Sequence, residues 1–265
     1  MSRCRLLAGA FVLAGFLLPA CGGGGAGPGV RPDPPVNAQQ LTEDIVSGCL
    51  QSSLDQLLTL RAAIEAGATA GAVPGIRMTG VDLSNPTQPA VTWAGDLDGD
   101  TIDDASGSVR LGGLSALQVA ALAAQLGAPD ADVAAVLSTL PTGTTLRNVF
   151  TATTPGLTAE GDVLVRLVNA TGSQALPDTT TGSVTTTDAA CEVTWSWTQL
   201  AVAGLVAGPY PIASMDVVVD SAMGQLTGVL VMDGTSTAAL HTELQPSGAP
   251  SDFTLDLDTG VLTPL

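Results

Sequence analysis

Between residues 39 and 66 the apolar positions Leu41, Ile45, Cys49, Leu50, Leu54, Leu57, Leu58 and Ile64 recur mostly every three or four residues. That spacing lays them along one face of an α-helix and puts Cys49 on the buried face. Residues 67–74, with two glycines and a proline, end the pattern. A second helical region, rich in Ala and Leu, covers 115–126 and 130–140. Gly127 suits a helix C-terminus, Asp130 the start of the next helix, and Pro141 stops it, so 115–140 is predicted as a helical hairpin.

Most of the remaining chain alternates with the two-residue period of strands. Val163, Val165 and Leu167 point one way, while Asp162, Leu164, Arg166 and Val168 point the other. In 191–197, Cys191, Val193, Trp195 and Trp197 share one face and Glu192, Thr194 and Ser196 the opposite one. Further strands are predicted around 89–94, 106–111, 145–152, 214–220, 225–232, 235–243 and 253–258. The threonine-rich run from Asp178 through Thr181-Gly182 to Thr187 reads as an exposed hairpin. Turn chemistry between the late strands (Gly-Gln, Asp-Gly, Ser-Gly-Ala-Pro) favours neighbouring strands that return antiparallel. The predicted fold class is therefore mainly β (α+β): a meandering antiparallel sheet curled toward a barrel. The N-terminal helix and the helical hairpin pack against it, with helices about 39–66 and 115–140. Residues 37–265, 229 in number, suffice for one β-rich domain.

The start of the chain follows different rules. Arg3 and Arg5 precede an apolar run from Leu6 to Leu18, which stops at Pro19-Ala20-Cys21. A charged start, a short apolar segment and a small residue at the cut describe a signal peptide over 1–20. Leu18, Ala20 and Cys21 resemble the lipobox of bacterial lipoproteins, a likeness confined to the signal. It implies that Cys21 is lipidated and becomes the new N-terminus, anchoring the chain to the bacterial envelope. An uncleaved membrane anchor and an ordinary cut after Ala20 are the alternatives. Gly22, where an aspartate would favour inner-membrane retention, points to the outer membrane. Residues 21–36 form the lipid-bearing cysteine and a Gly/Pro-rich tether with too little apolar surface to pack. Fifteen such residues reach about 20 Å as a coil and up to about 50 Å drawn out.

Charge excludes one class of partner. The chain has no lysine, and after Cys21 only six arginines face twenty-five acidic residues, a side-chain balance of −19. Such a surface repels nucleic acid and anionic lipid headgroups, so nucleic acid is not an expected partner. The membrane is expected to be met through the N-terminal lipid. A G+C-rich genome would equally account for the missing lysine.

Two cysteines remain in the domain, Cys49 and Cys191. In an oxidising compartment they are expected to form one bridge, with two separate buried thiols as the alternative. The helix would then lie across the face carrying Cys191.

One local motif carries chemistry, Asp96-Leu97-Asp98-Gly99-Asp100-Thr101-Ile102-Asp103-Asp104. Carboxylates at alternate positions of a short loop can converge on a hard cation. Asp96, Asp98, Asp100 and Asp104, with the Ile102 carbonyl, are the candidate ligands for calcium. A solvated acidic turn is the competing reading. The spacing resembles the calcium loops of FG-GAP and integrin-type propeller blades over nine residues, with Thr101 standing where that family has its second glycine. The resemblance implies a structural calcium ion. It does not imply a propeller, because the motif does not recur.

No catalytic constellation is expected. His241 is the only histidine, and the chain lacks nucleophile-elbow, zinc-protease and phosphate-loop motifs. Trp93, Trp195 and Trp197 are expected in the core, with a sugar site as the alternative. The expected function is a non-enzymatic, lipid-anchored envelope protein with a structural, adhesive or binding role. An apolar-ligand or lipid-binding barrel-like module is the alternative, and a carbohydrate-active hydrolase using Asp and Glu a weaker one.

Overall fold

The structure, a computed structural model, describes residues 38–60, 76–85, 87–126, 139–154, 156–169, 175–201 and 212–265. The predicted signal peptide, Cys21, the tether and most of the second arm of the helical hairpin lie outside the described residues. The N-terminal helix runs as α1 (Ala38–Ile45), one π-helical turn (Val46–Leu50) and α2 (Gln51–Thr59); α3 is Ala116–Leu126. Among the described residues, twelve strands follow one another in a single antiparallel meander. They are β1 (Ile76–Asp82), β2 (Ala90–Gly95), β3 (Ala105–Gly112), β4 (Thr145–Thr154), β5 (Leu157–Asn169) and β6 (Ala175–Thr187). The second half adds β7 (Cys191–Ala201), β8 (Ile212–Ser221), β9 (Gly224–Asp233), β10 (Thr237–Gln245), β11 (Ala249–Asp256) and β12 (Leu262–Pro264). Every strand pairs with its sequence neighbour, and β1 and β12 are the two ends of the sheet, which does not close into a barrel.

The sheet nevertheless curls around the N-terminal helix. Cys49 is bonded to Cys191 at the start of β7, with the two Cα atoms 5.7 Å apart. Two residues on, Gln51 donates Nε2 to the Gly260 carbonyl (2.8 Å) and accepts at Oε1 from the Leu262 amide of β12 (3.2 Å). In a flat sheet β7 and β12 would stand about 24 Å apart, at ~4.8 Å per strand. Two helix positions ~3 Å apart along the axis can reach both only if the sheet bends over the helix.

Glycines opposite aromatic rings accompany that bend. One inward-facing cross-strand row reads Trp93, Gly107, Phe150, Gly161, Val184, Trp195, Val217, Gly228 and Thr242 from β2 to β10. A β-carbon on Gly107 would lie 2.7 Å from the Trp93 ring, and one on Gly161 would overlap the Phe150 ring. Large rings thus fold over bare backbone on the next strand, an arrangement that lets a strongly curved sheet fill its concave side.

That concave side is the core. Trp93, Phe150, Trp195, Leu111, Leu146, Leu226, Leu230 and Leu240 are fully buried there, together with Ile45, Leu50 and Leu60 from the helical segment. The polar atoms carried inward are paired. Trp93 Nε1 donates to Asn148 Oδ1 (2.9 Å) and Trp195 Nε1 to Ser53 Oγ (3.0 Å). Ser53 Oγ also shares a 2.7 Å hydrogen bond with Thr186 Oγ1. Because an unpaired buried polar group costs about 1–3 kcal/mol, the Ser53–Trp195–Thr186 node fixes the rotation of α2 on β6 and β7. All three tryptophans are buried in the core.

Three elements differ from the sequence reading. The threonine-rich run is one continuous strand, β6, whose register shifts between Thr180 and Gly182, and not a hairpin; Gly182 lies within it because a β-carbon there would meet the Asp162 carbonyl at 2.6 Å. Strands β1 and β12 were not predicted. β1 escapes a period-two reading because its register shifts between Met78 and Gly80, and β12 is only three residues long.

Candidate metal centre

The acidic loop is the tip of the β2–β3 hairpin. It is closed at its base by the Asp104 amide, which donates to the Gly95 carbonyl (2.8 Å), and tied to β4 by the Thr153 amide on the Asp104 carbonyl (2.8 Å). Between these points the aspartates organise the backbone that carries them. Asp96 accepts from the amides of Gly99 (2.6 Å) and Thr101 (2.8 Å), Asp98 from Asp100 (3.1 Å), and Asp100 from Ile102 (2.8 Å). Asp104 accepts from the amides of Leu97 (3.0 Å) and Asp98 (3.4 Å). The Thr101 amide, followed by that of Gly99, holds the Asp96 carboxyl below its ordinary pKa, because both donors favour the charged form.

These bonds turn four carboxylates toward one another. Asp96, Asp98, Asp100 and Asp104 each offer an oxygen, and the four oxygens lie within 4.8 Å of one another. Calcium takes oxygens at about 2.3–2.6 Å, so ligands on opposite sides of one ion are up to ~5 Å apart. The four oxygens fit one such sphere. Magnesium gives up its waters reluctantly and is seldom held by an all-protein cage, so four carboxylates on one turn suit calcium better. Hard, strongly anionic oxygen donors also disfavour a soft metal. Ile102 lies in the same turn with its side chain 65% exposed and its amide engaged by Asp100.

Thr101 has φ 74°, the one positive φ at a non-glycine among the described residues, and Gly99 precedes it at φ 84°. The chain thus adopts the left-handed backbone that the resembling loops reach with glycine. For a β-branched residue this conformation costs roughly 1–2 kcal/mol. Thr101→Gly is accordingly expected to raise the melting temperature by about 2–4 °C, for a gain of about 1 kcal/mol. A lowered melting temperature would show that the threonine side chain contributes more than its backbone strain removes.

Sequence reasoning did not find Arg77. From β1 it makes a two-pronged ion pair with Asp103 (Nη2 to Oδ2, 2.6 Å), which draws the fifth aspartate of the motif away from the other four. The partners are 26 residues apart, and no local signal joins them. Cys49 and Cys191 are brought together in the core, and His241 is exposed on β10, hydrogen-bonded through Nδ1 to Asp252 on β11 (2.7 Å). An open groove of about 440 Å³ between α1 and β11–β12 has an apolar floor of Val46, Phe253 and Leu262 under a rim including Glu43 and Asp44.

The fold and loop define a class: a mainly β domain in which an open twelve-stranded antiparallel meander curls over one N-terminal helix and carries an aspartate cluster on a hairpin. Comparison with protein-family models finds no match, and comparisons with curated proteins and with solved structures likewise find none.

Proposed function

We propose that the chain is a lipid-anchored protein of the bacterial envelope with a non-enzymatic structural, adhesive or binding role, whose β2–β3 hairpin is stiffened by calcium. The observation that carries the calcium part is the convergence of Asp96, Asp98, Asp100 and Asp104 within 4.8 Å. Four carboxylates so close repel one another, and a divalent cation converts that repulsion into a cross-link across the hairpin tip. The anchor is carried by Leu18, Ala20 and Cys21 followed by the glycine-rich tether. Among the described residues no helix is long and apolar enough to cross a membrane. A structural role is also supported by the filling of the concave face with the chain's own tryptophans and helix.

Two measurements test the reading separately. Metabolic labelling with palmitate should mark the full chain and fail to mark Cys21→Ala, which should leave the membrane fraction; an unlabelled wild-type chain would sink the anchor. Calcium should raise the melting temperature by several degrees over chelator, and Asp98→Ala/Asp100→Ala should abolish the rise. Equal melting in calcium and chelator would reduce the loop to an acidic turn.

A further inference from the structure

The sheet ends at β12, and the groove of about 440 Å³ between α1 and β11–β12 runs beside that edge. Along an antiparallel strand the N–H and C=O of one residue point the same way, and those of the next residue point the opposite way. Here the Val261 carbonyl accepts from the Asp256 amide (3.1 Å) and the Leu265 amide donates to the Asp252 carbonyl (3.0 Å), so residues 261, 263 and 265 face β11. Leu262 and Pro264 face outward. The Leu262 amide is engaged by Gln51 Oε1 (3.2 Å), and Pro264 has no N–H. The free edge therefore offers two carbonyls and no donor, which blocks the addition of another strand.

The facing wall has the same bias. Glu43 and Asp44 of α1 line the groove. Each accepts one neutral amide, from Gln39 Nε2 (3.1 Å) and Gln40 Nε2 (2.9 Å), and neither forms a salt bridge among the described residues. No lysine or arginine occurs in 38–60 or in 245–265, so the segments that build the groove supply no cation to it. Between the walls lies the apolar floor of Val46, Phe253 and Leu262.

A group that satisfies this groove is cationic, rich in donors, free of acceptors and compatible with an apolar floor. A guanidinium meets all four conditions, with five N–H donors, no acceptor, a fixed charge and a planar, weakly hydrated face. An ammonium is a strongly hydrated point charge and suits the walls but not the floor. The volume lies within the ~300–1,000 Å³ of ordinary ligand sites. The chain's own described arginines already lie beside its carboxylates. Arg77 and Arg147 are paired with Asp103 and Asp162, Arg110 interacts with Asp82 and Asp162, and Arg166 is in register with Thr179, next to Asp178. That points to a different protein as the source of the guanidinium.

We infer that the groove between α1 and β12 docks an arginine of a partner protein. Its guanidinium lies between the carboxylates of Glu43 and Asp44 and the carbonyls of Leu262 and Pro264, in charge-assisted hydrogen bonds, with its methylenes over the apolar floor. The inference gives the binding role a partner chemistry and rests on neither the lipid anchor nor calcium.

The test uses the full lipid-bearing chain in neutral detergent micelles and an end-blocked peptide, Ala-Leu-Arg-Val-Ala, read by the anisotropy of an uncharged dye. Saturable binding below about 1 mM is expected, weakened about tenfold or more by Glu43→Gln/Asp44→Asn. Replacing the peptide's arginine by citrulline, which keeps the shape and loses the charge, should weaken it as much. Asp216→Asn/Asp220→Asn removes the same charge from the exposed face of β8 and should leave binding unchanged. Equal weakening by the two pairs of substitutions would mean attraction to the acidic chain as a whole and would overturn the site. So would a lack of saturable binding, or a citrulline peptide that binds as well. Peptide binding that appears only in Arg31→Gln would assign the groove to the chain's own tether. Self-association abolished by Glu43→Gln/Asp44→Asn would assign it to a second copy, and either result overturns the foreign partner.

Discussion

Replacing both Cys49 and Cys191 by alanine is expected to lower the melting temperature by about 6–12 °C. The bridge spans a sequence separation of 142 residues. In the chain-entropy account a loop of that length restricts the unfolded chain by up to about 5 kcal/mol, and native bridges deliver a typical ~3 kcal/mol. At ~2–4 °C per kcal/mol for a chain of this size, that gives the stated range. The location adds to the effect, because the bridge fastens the π-helical turn of the central helix to β7, next to the Ser53–Trp195–Thr186 node. Thermal melting of the oxidised chain, the reduced chain and the double alanine variant measures it. Coincident curves would mean that the helix is held by packing alone.

Gly161→Ala, one methyl group, is expected to cost about as much: roughly 1–3 kcal/mol or more, as for other overpacked cores. Its β-carbon would overlap Cε1 and Cζ of the Phe150 ring. A ring edge on a flexible side chain could swing aside, but Phe150 is 2% exposed and sits in the core with Trp93, its ring centroid 6.3 Å away. The substitution must therefore displace the ring or flatten the local curl. A double-mutant cycle with Phe150→Leu separates this from simple strand propensity. If the clash is the cause, alanine at 161 costs markedly less when combined with Phe150→Leu than when introduced alone. Equal costs in both backgrounds would place the effect in the backbone of β5.

The rule of alternation made much of this legible beforehand. Cys191 to Trp197 read correctly because each inward residue is apolar and each outward one polar, so one strand announces its own face. The acidic loop was legible for a similar reason: its four converging aspartates are neighbours in sequence, and a turn suffices to bring them together. What stayed hidden depends on register between strands. Gly182 resembles a turn residue until Trp197 is known to lie opposite it, and Gly161 gains its meaning only beside Phe150. Arg77 was invisible as a partner of Asp103 because the bulged strand that carries it breaks the period. Whether the meander would close was likewise beyond local pattern, since closure depends on the distance between β1 and β12. The pairing of Cys49 with Cys191 was legible by number, while the bend that places Gln51 against β12 was not.

Calcium titration of the full chain by calorimetry tests the central claim most directly. One ion per chain, with binding abolished in Asp98→Ala/Asp100→Ala and weaker binding of magnesium, is the predicted result. No saturable heat, or a site that survives loss of both aspartates, would contradict it.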